Sequence, residues 1–153
     1  MYRFRSVLVV TFVLAGLLSF EPAHAQFSLQ PGVRIGYYTD NSDFFFGADM
    51  KTGFPLVNAN ANAEYVFVDN AKMATFNLDG TIDFGLIPGL PTFVGAGLGL
   101  LYADPDNADS QTDGIFNVLL GAGLSKLPLS PYVQLKYILA DSDQFVVGAG
   151  IRF

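Results

Sequence analysis

From Gln144 to Phe153 the chain changes character at every residue. Phe145, Val147, Ala149, Ile151 and Phe153 form one apolar set, while Gln144, Val146, Gly148, Gly150 and Arg152 form a mainly small or polar one. A period of two belongs to a β-strand whose faces meet different surroundings. Seven earlier segments have the same character, so the strands are expected at 28–38, 44–51, 56–68, 73–86, 91–102, 114–124, 131–140 and 144–153. In the third, Asn58, Asn60, Asn62 and Glu64 alternate with Val57, Ala59, Ala61, Ala63, Tyr65 and Phe67. In the fourth, Asn77, Asp79, Thr81 and Asp83 alternate with Phe76, Leu78, Ile82 and Phe84. Gly95, Gly97 and Gly99 do so with Val94, Ala96, Leu98, Leu100 and Tyr102, and Gln134 and Lys136 with Val133, Leu135, Tyr137 and Leu139.

The connections fall into two kinds that take turns along the chain. Residues 39–43 and 103–113 are acidic, and 69–72 and 141–143 are polar, whereas 52–55, 87–90 and 125–130 are compact and rich in Pro and Gly. Antiparallel strands with both ends on one side give that order, with longer loops outside and short turns inside.

The first 25 residues read as a secretory signal. Arg3 and Arg5 are followed by an apolar run from Val7 to Phe20 and by Ala23-His24-Ala25, a small-residue cleavage site that would leave a mature chain of residues 26–153. The run is shorter than the roughly 20 residues a spanning helix needs. Cleavage removes two arginines and one glutamate, taking the formal charge from −6 to −7. That balance argues against a nucleic-acid partner, which calls for basic patches. The chain has no cysteine, and its one histidine is His24, in the signal. No disulfide, thiolate or histidine-based chemistry is therefore open to the mature chain.

A soluble sandwich or a lipocalin-like binder shows the same alternation with its apolar face turned inward. Here the polar face is too rich in Asn and Gly for an ordinary solvated surface. Aromatics also gather near strand ends, as interfacial girdles do: Tyr37, Phe44, Tyr65, Phe67, Phe76, Tyr102 and Phe145 at the outer ends, Phe84, Phe93 and Phe153 at the inner. The expected fold is a single-domain, all-β, eight-stranded antiparallel up-and-down transmembrane barrel. Hydrocarbon offers no hydrogen-bond partner to an open strand edge, so the first and last strands must pair.

The inward set is then Arg34, Asp49, Asn58, Asn60, Asn62, Glu64, Asn77, Asp79, Asp83, Asn117, Gln134, Lys136 and Arg152. An eight-stranded barrel is only wide enough for side chains to fill it, and buried charges must be paired. Arg34, Asp49, Glu64, Asp79, Asp83, Lys136 and Arg152 are expected to form a polar plug, with Asp49 and Asp83 as carboxylate partners for Arg34 and Arg152. The inward glycines make room for large residues such as Tyr38 or Arg34, or leave a narrow path for water or solute. The acidic stretch 104–114 has oxygens enough for calcium, but departs from the EF-hand spacing at Ala108 and Asp109. No metal, cofactor or catalytic site is expected, and the Asp79/Asp83 pair reads as structural.

A signal segment, eight alternating strands, Gly- and Asn-rich inward positions and a last strand ending Gly-Ile-Arg-Phe resemble the small outer-membrane β-barrel family, the OmpA-like and OmpX-like barrels often described as porin family proteins. The resemblance implies a monomeric protein of the outer membrane of a two-membrane bacterium, in contact with membrane lipid. It also implies that Phe145, Val147, Ala149, Ile151 and Phe153 act as the signal for the barrel-assembly machinery. Two roles stay open: a structural or surface-interaction barrel meeting an extracellular ligand at loops 39–43 and 103–113, or a narrow pore for small solutes.

Overall fold

The computed structural model describes residues 28–54, 56–88, 90–124 and 129–153. The expected signal segment and its cleavage site lie outside them. Eight antiparallel strands follow one another: β1 (Leu29–Tyr38), β2 (Asp43–Gly53), β3 (Asn58–Val68), β4 (Ala71–Ile87), β5 (Leu90–Pro105), β6 (Gln111–Gly123), β7 (Ser130–Leu139) and β8 (Gln144–Arg152). Each pairs with its neighbour in sequence, and β1 pairs with β8, so the sheet closes into a barrel. The seam runs from Gly32↔Arg152 to Tyr38↔Val146. The Phe153 amide extends it by donating to the Pro31 carbonyl at 3.0 Å. No described residue is helical.

The barrel is apolar outside and polar within. Leu98, Leu78, Phe67 and Ile35 lie on the outer surface with 60 % or more of their area exposed. Asn117, Asp79, Lys136 and Glu64 are at most 2 % exposed in the lumen. Alternation turns every second residue inward because successive side chains leave a strand on opposite faces.

Three expectations need correction. Strands β4 and β5 are longer than expected, and pairing continues to Ala71↔Pro105 and Ala103↔Gln111. The acidic connection therefore shrinks to 106–110, because its flanks satisfy their backbone groups in the ladder. Loop and turn lengths do not separate the two ends: two residues join β3 to β4, and six join β6 to β7. The ends differ in composition instead, acidic at one (the loop end) and rich in Pro and Leu at the other (the turn end). Third, Phe93 does not join the lipid-facing girdle expected at the inner strand ends. It shares parity with Gly95 and Gly97, so it is buried in the lumen, where the missing side chain of Gly121 leaves space for its ring.

Local irregularities are few. Asn70, in the two-residue link after β3, has φ of 58°, and Ser42, before β2, has 63°. Asn tolerates this left-handed region because its short side chain bonds locally. The β4–β5 register shifts between Phe84 and Ile87, and beside this bulge the Thr92 hydroxyl donates to the Phe84 carbonyl.

Candidate functional site

The lumen is built in layers. At mid-height the Glu64 carboxylate accepts from four groups on three other strands. The Lys136 ammonium lies 2.9 Å from Oε1 and Arg34 Nη2 3.1 Å from it. The Tyr38 hydroxyl (2.9 Å) and the Thr75 hydroxyl (3.0 Å) donate to Oε2. One step toward the turn end along β3 and β4, Asn62 Nδ2 donates to Asp79 Oδ2 at 2.7 Å and Asn117 Nδ2 to Asp79 Oδ1 at 3.3 Å. Asn77 links them, donating to Asn62 Oδ1 at 3.0 Å and accepting from Asn117 at 2.8 Å. Nearer the turn end, Arg152 Nε and Nη2 both reach Asp49 Oδ2 at 2.7 Å, and the guanidinium lies 3.8 Å over the Tyr132 ring.

Glycine is what lets these partners meet. In the cross-strand register, Arg34 stands beside Gly47 and Gly47 beside Glu64. Asp49 likewise stands beside Gly32 and Gly32 beside Arg152, and Asp79 beside Gly97 and Gly97 beside Asn117. Strands two apart in a sheet are roughly 9–10 Å apart, and the side chains bridge that span only where the middle strand has none. A Cβ on Gly32 would lie 2.9 Å from Arg152 Cγ, and one on Gly47 3.2 Å from Arg34 Cγ. Inward glycines do make room for large side chains: Arg34 at Gly47, Phe45 at Gly36, Phe93 at Gly121 and Tyr132 at Gly150.

All seven residues nominated for the lumen network can be placed. Arg34, Asp49, Glu64, Asp79, Lys136 and Arg152 are buried together in the lumen. Asp83 is not with them. It sits at the turn-end rim with 56 % of its side chain exposed, 3.9 Å from Lys51 and accepting from Asn58 Nδ2 at 2.9 Å. The expected pairing of Asp83 with a buried arginine is therefore wrong, because Glu64 takes Arg34 across Gly47. With Asp83 outside, three buried cations face three buried carboxylates.

Apolar layers lie above and below. Toward the loop end Tyr38, Phe45, Val66, Ile115, Ile138 and Val146 are packed together and almost wholly buried, with Val68, Met73, Leu101 and Ala140 against them. Toward the turn end Phe93, Leu119 and Tyr132 form a smaller cluster. Neither was expected as a layer. The signal was nevertheless present, since Val66 shares parity with Glu64, Ile138 with Lys136 and Ile115 with Asn117. Below the small cluster a vestibule of about 120 Å³ opens at the turn end, lined by Gln30, Lys51, Asp83, Phe93, Tyr132 and Arg152 among others. A separate void of about 10 Å³, bounded by Lys51, Asn60, Thr81, Phe93, Gln134 and Arg152, shares Lys51, Phe93 and Arg152 with it and has roughly the space of one water molecule. Among the described residues no cluster of three or more acidic, Cys or His side chains is placed to hold a metal.

The residues expected to act as an assembly signal, Phe145, Val147, Ala149 and Ile151 of β8 and Phe153 just after it, are all on the outer surface. Two grooves of about 570 and 550 Å³ also lie on that surface, sharing Ile35, Leu90, Ala122, Val133 and Ala149, and belong to its apolar band.

Closed eight-stranded topology, an apolar exterior and a charge-balanced interior define the fold of the small outer-membrane β-barrels. The chain is similar to neisserial surface protein A at 16 % identity, covering 84 % of this chain and 96 % of that one with a TM-score of 0.65. It is similar to Ail, the attachment invasion locus protein of Yersinia pestis, at 14 % identity (83 % and 97 % covered, TM-score 0.50). The outer-membrane enzyme PagL matches at 14 % identity (82 % and 99 %, TM-score 0.52). No protein-family model matches the sequence, and no curated protein matches it either.

Proposed function

We propose that the protein is an integral outer-membrane β-barrel of a two-membrane bacterium, exported through residues 1–25, acting as a single chain with a structural and surface-interaction role and a plugged interior. The observation that carries this reading is the inverted distribution of side chains. Among the described residues thirty-one large apolar side chains are exposed, while the six charges of the lumen are buried and paired or amide-bonded. In water that exterior would be far beyond the apolar patch a soluble monomer tolerates. In a bilayer it is the required surface. The segments at 39–42 and 106–110 stand at one mouth and are the surface offered to an extracellular partner.

The reading is non-enzymatic. PagL carries an enzyme on this fold, but among the described residues of this chain there is no histidine, and the buried carboxylates are each engaged by amides or cations. A narrow pore is the second reading, favoured by the turn-end vestibule. A plugged barrel gives no steady current in a planar bilayer, and a pore does. The test of the main reading is membrane fractionation with gel mobility before and after boiling. The expected protein stays with the outer membrane and migrates differently until heated. Recovery from the periplasm without detergent would overturn it.

The outward row of β8 is proposed as the contact for the assembly machinery. Phe153→Ala is expected to lower the amount of heat-shifting barrel recovered from cells severalfold, while refolding of the purified chain into detergent is unchanged. Equal loss in both assays would make Phe153 merely a stabilising contact.

A further inference from the structure

The apolar layer near the loop end is complete in a way the one near the turn end is not. Every strand contributes to it: Tyr38 from β1, Phe45 from β2, Val66 from β3, Met73 from β4, Leu101 from β5, Ile115 from β6, Ile138 from β7 and Val146 from β8. The six fully packed members are at most 4 % exposed. The turn-end cluster draws only on β5, β6 and β7. The remaining wall there is polar, with Lys51, Asn60, Thr81 and Arg152 around the void that adjoins the vestibule at Lys51, Phe93 and Arg152. We infer that the lumen is a blind polar pocket entered by water and small ions from the turn end alone, and that the eight-strand apolar layer is the barrier to permeation.

Two barriers stand in series along the lumen. The charged layer has matched signs and hydrogen-bonding side chains, so an ion or a water molecule meets groups that can solvate it. The apolar layer offers none. An ion forced through it sheds its hydration against hydrocarbon, and a constriction of that kind excludes water by dewetting. Unlocking the ion pairs alone leaves this second barrier standing. Tyr38 joins the two layers, its ring 5.8 Å from that of Phe45 and its hydroxyl on Glu64.

The inference rests on the membrane-barrel reading, so the heat-dependent mobility of every variant is checked first, which separates failure of that reading from failure of this one. Planar-bilayer current is then compared for the parent, Glu64→Gln and the double variant Ile138→Ser/Val146→Ser. The parent and Glu64→Gln are expected to be silent, and the double variant to pass steady current at least tenfold above them. If the double variant does not retain the mobility shift, Ile138→Ala takes its place. Glu64→Gln conducting as well as the widened layer, or a folded widened layer that stays silent, overturns the inference.

The absence of cysteine from the chain permits a second measurement that needs no pore. Thr81→Cys and Ile138→Cys are placed singly in barrels reconstituted in lipid vesicles and exposed to a small charged thiosulfonate. Thr81→Cys is expected to react at least a hundredfold faster. Comparable rates would mean that water reaches the apolar layer, and would overturn the inference.

Discussion

Glu64 bears more of the lumen than any other residue, since two cations and two hydroxyls share its two oxygens. Removing one partner of a buried ion pair leaves an uncompensated charge, at a cost of about 3–5 kcal/mol. Arg34→Ala is therefore expected to lower the denaturant midpoint and the temperature of the mobility shift clearly. Asp83→Ala removes an exposed contact 3.9 Å from Lys51 and an exposed hydrogen bond from Asn58, and is expected to change stability by under about 1 kcal/mol. Equilibrium unfolding in detergent or lipid distinguishes the two, and equal losses would contradict the placement of Asp83 at the rim. Parity along each strand showed that Arg34, Glu64, Asp79 and Lys136 face inward. It did not show who pairs with whom. Which inward residues share a height depends on the stagger of strands around the closed ring, a long-range quantity that no local pattern carries.

At the scale of strands, the sequence located all eight, and the boundaries moved mainly where β4, β5 and the start of β6 run on beyond the apolar band. What the pattern hid is the use of glycine as a gap between partners two strands apart. Asp79 and Asn117 meet over Gly97, where an added Cβ would lie 2.6 Å from the Leu78 carbonyl and 2.8 Å from Asp79 Cα. Backbone cannot yield there as a flexible side chain can. Gly114, on the outer face of β6, has open space around the same position. Gly97→Ala is expected to destabilise the barrel by roughly the 1–3 kcal/mol of an overpacked core, and Gly114→Ala to leave it unchanged or slightly firmer. The shift in unfolding midpoint measures both. Inward apolar residues such as Phe93 and Ile138 were easy to misread for a related reason: in a barrel this narrow the lumen needs bulk as well as polarity, so hydrophobicity alone does not tell inside from outside.

The whole molecule is a ring of paired strands around a filled, charge-balanced centre, with acidic loops at one mouth and a small vestibule at the other. Its seam has a consequence for integrity. Because β8 is laddered to β7 on one side and to β1 on the other, a single cut at Asp141–Asp143 would sever the covalent path without opening a ladder. Both fragments would stay clasped by the strands around them, and the nick would show only after the ring had been melted.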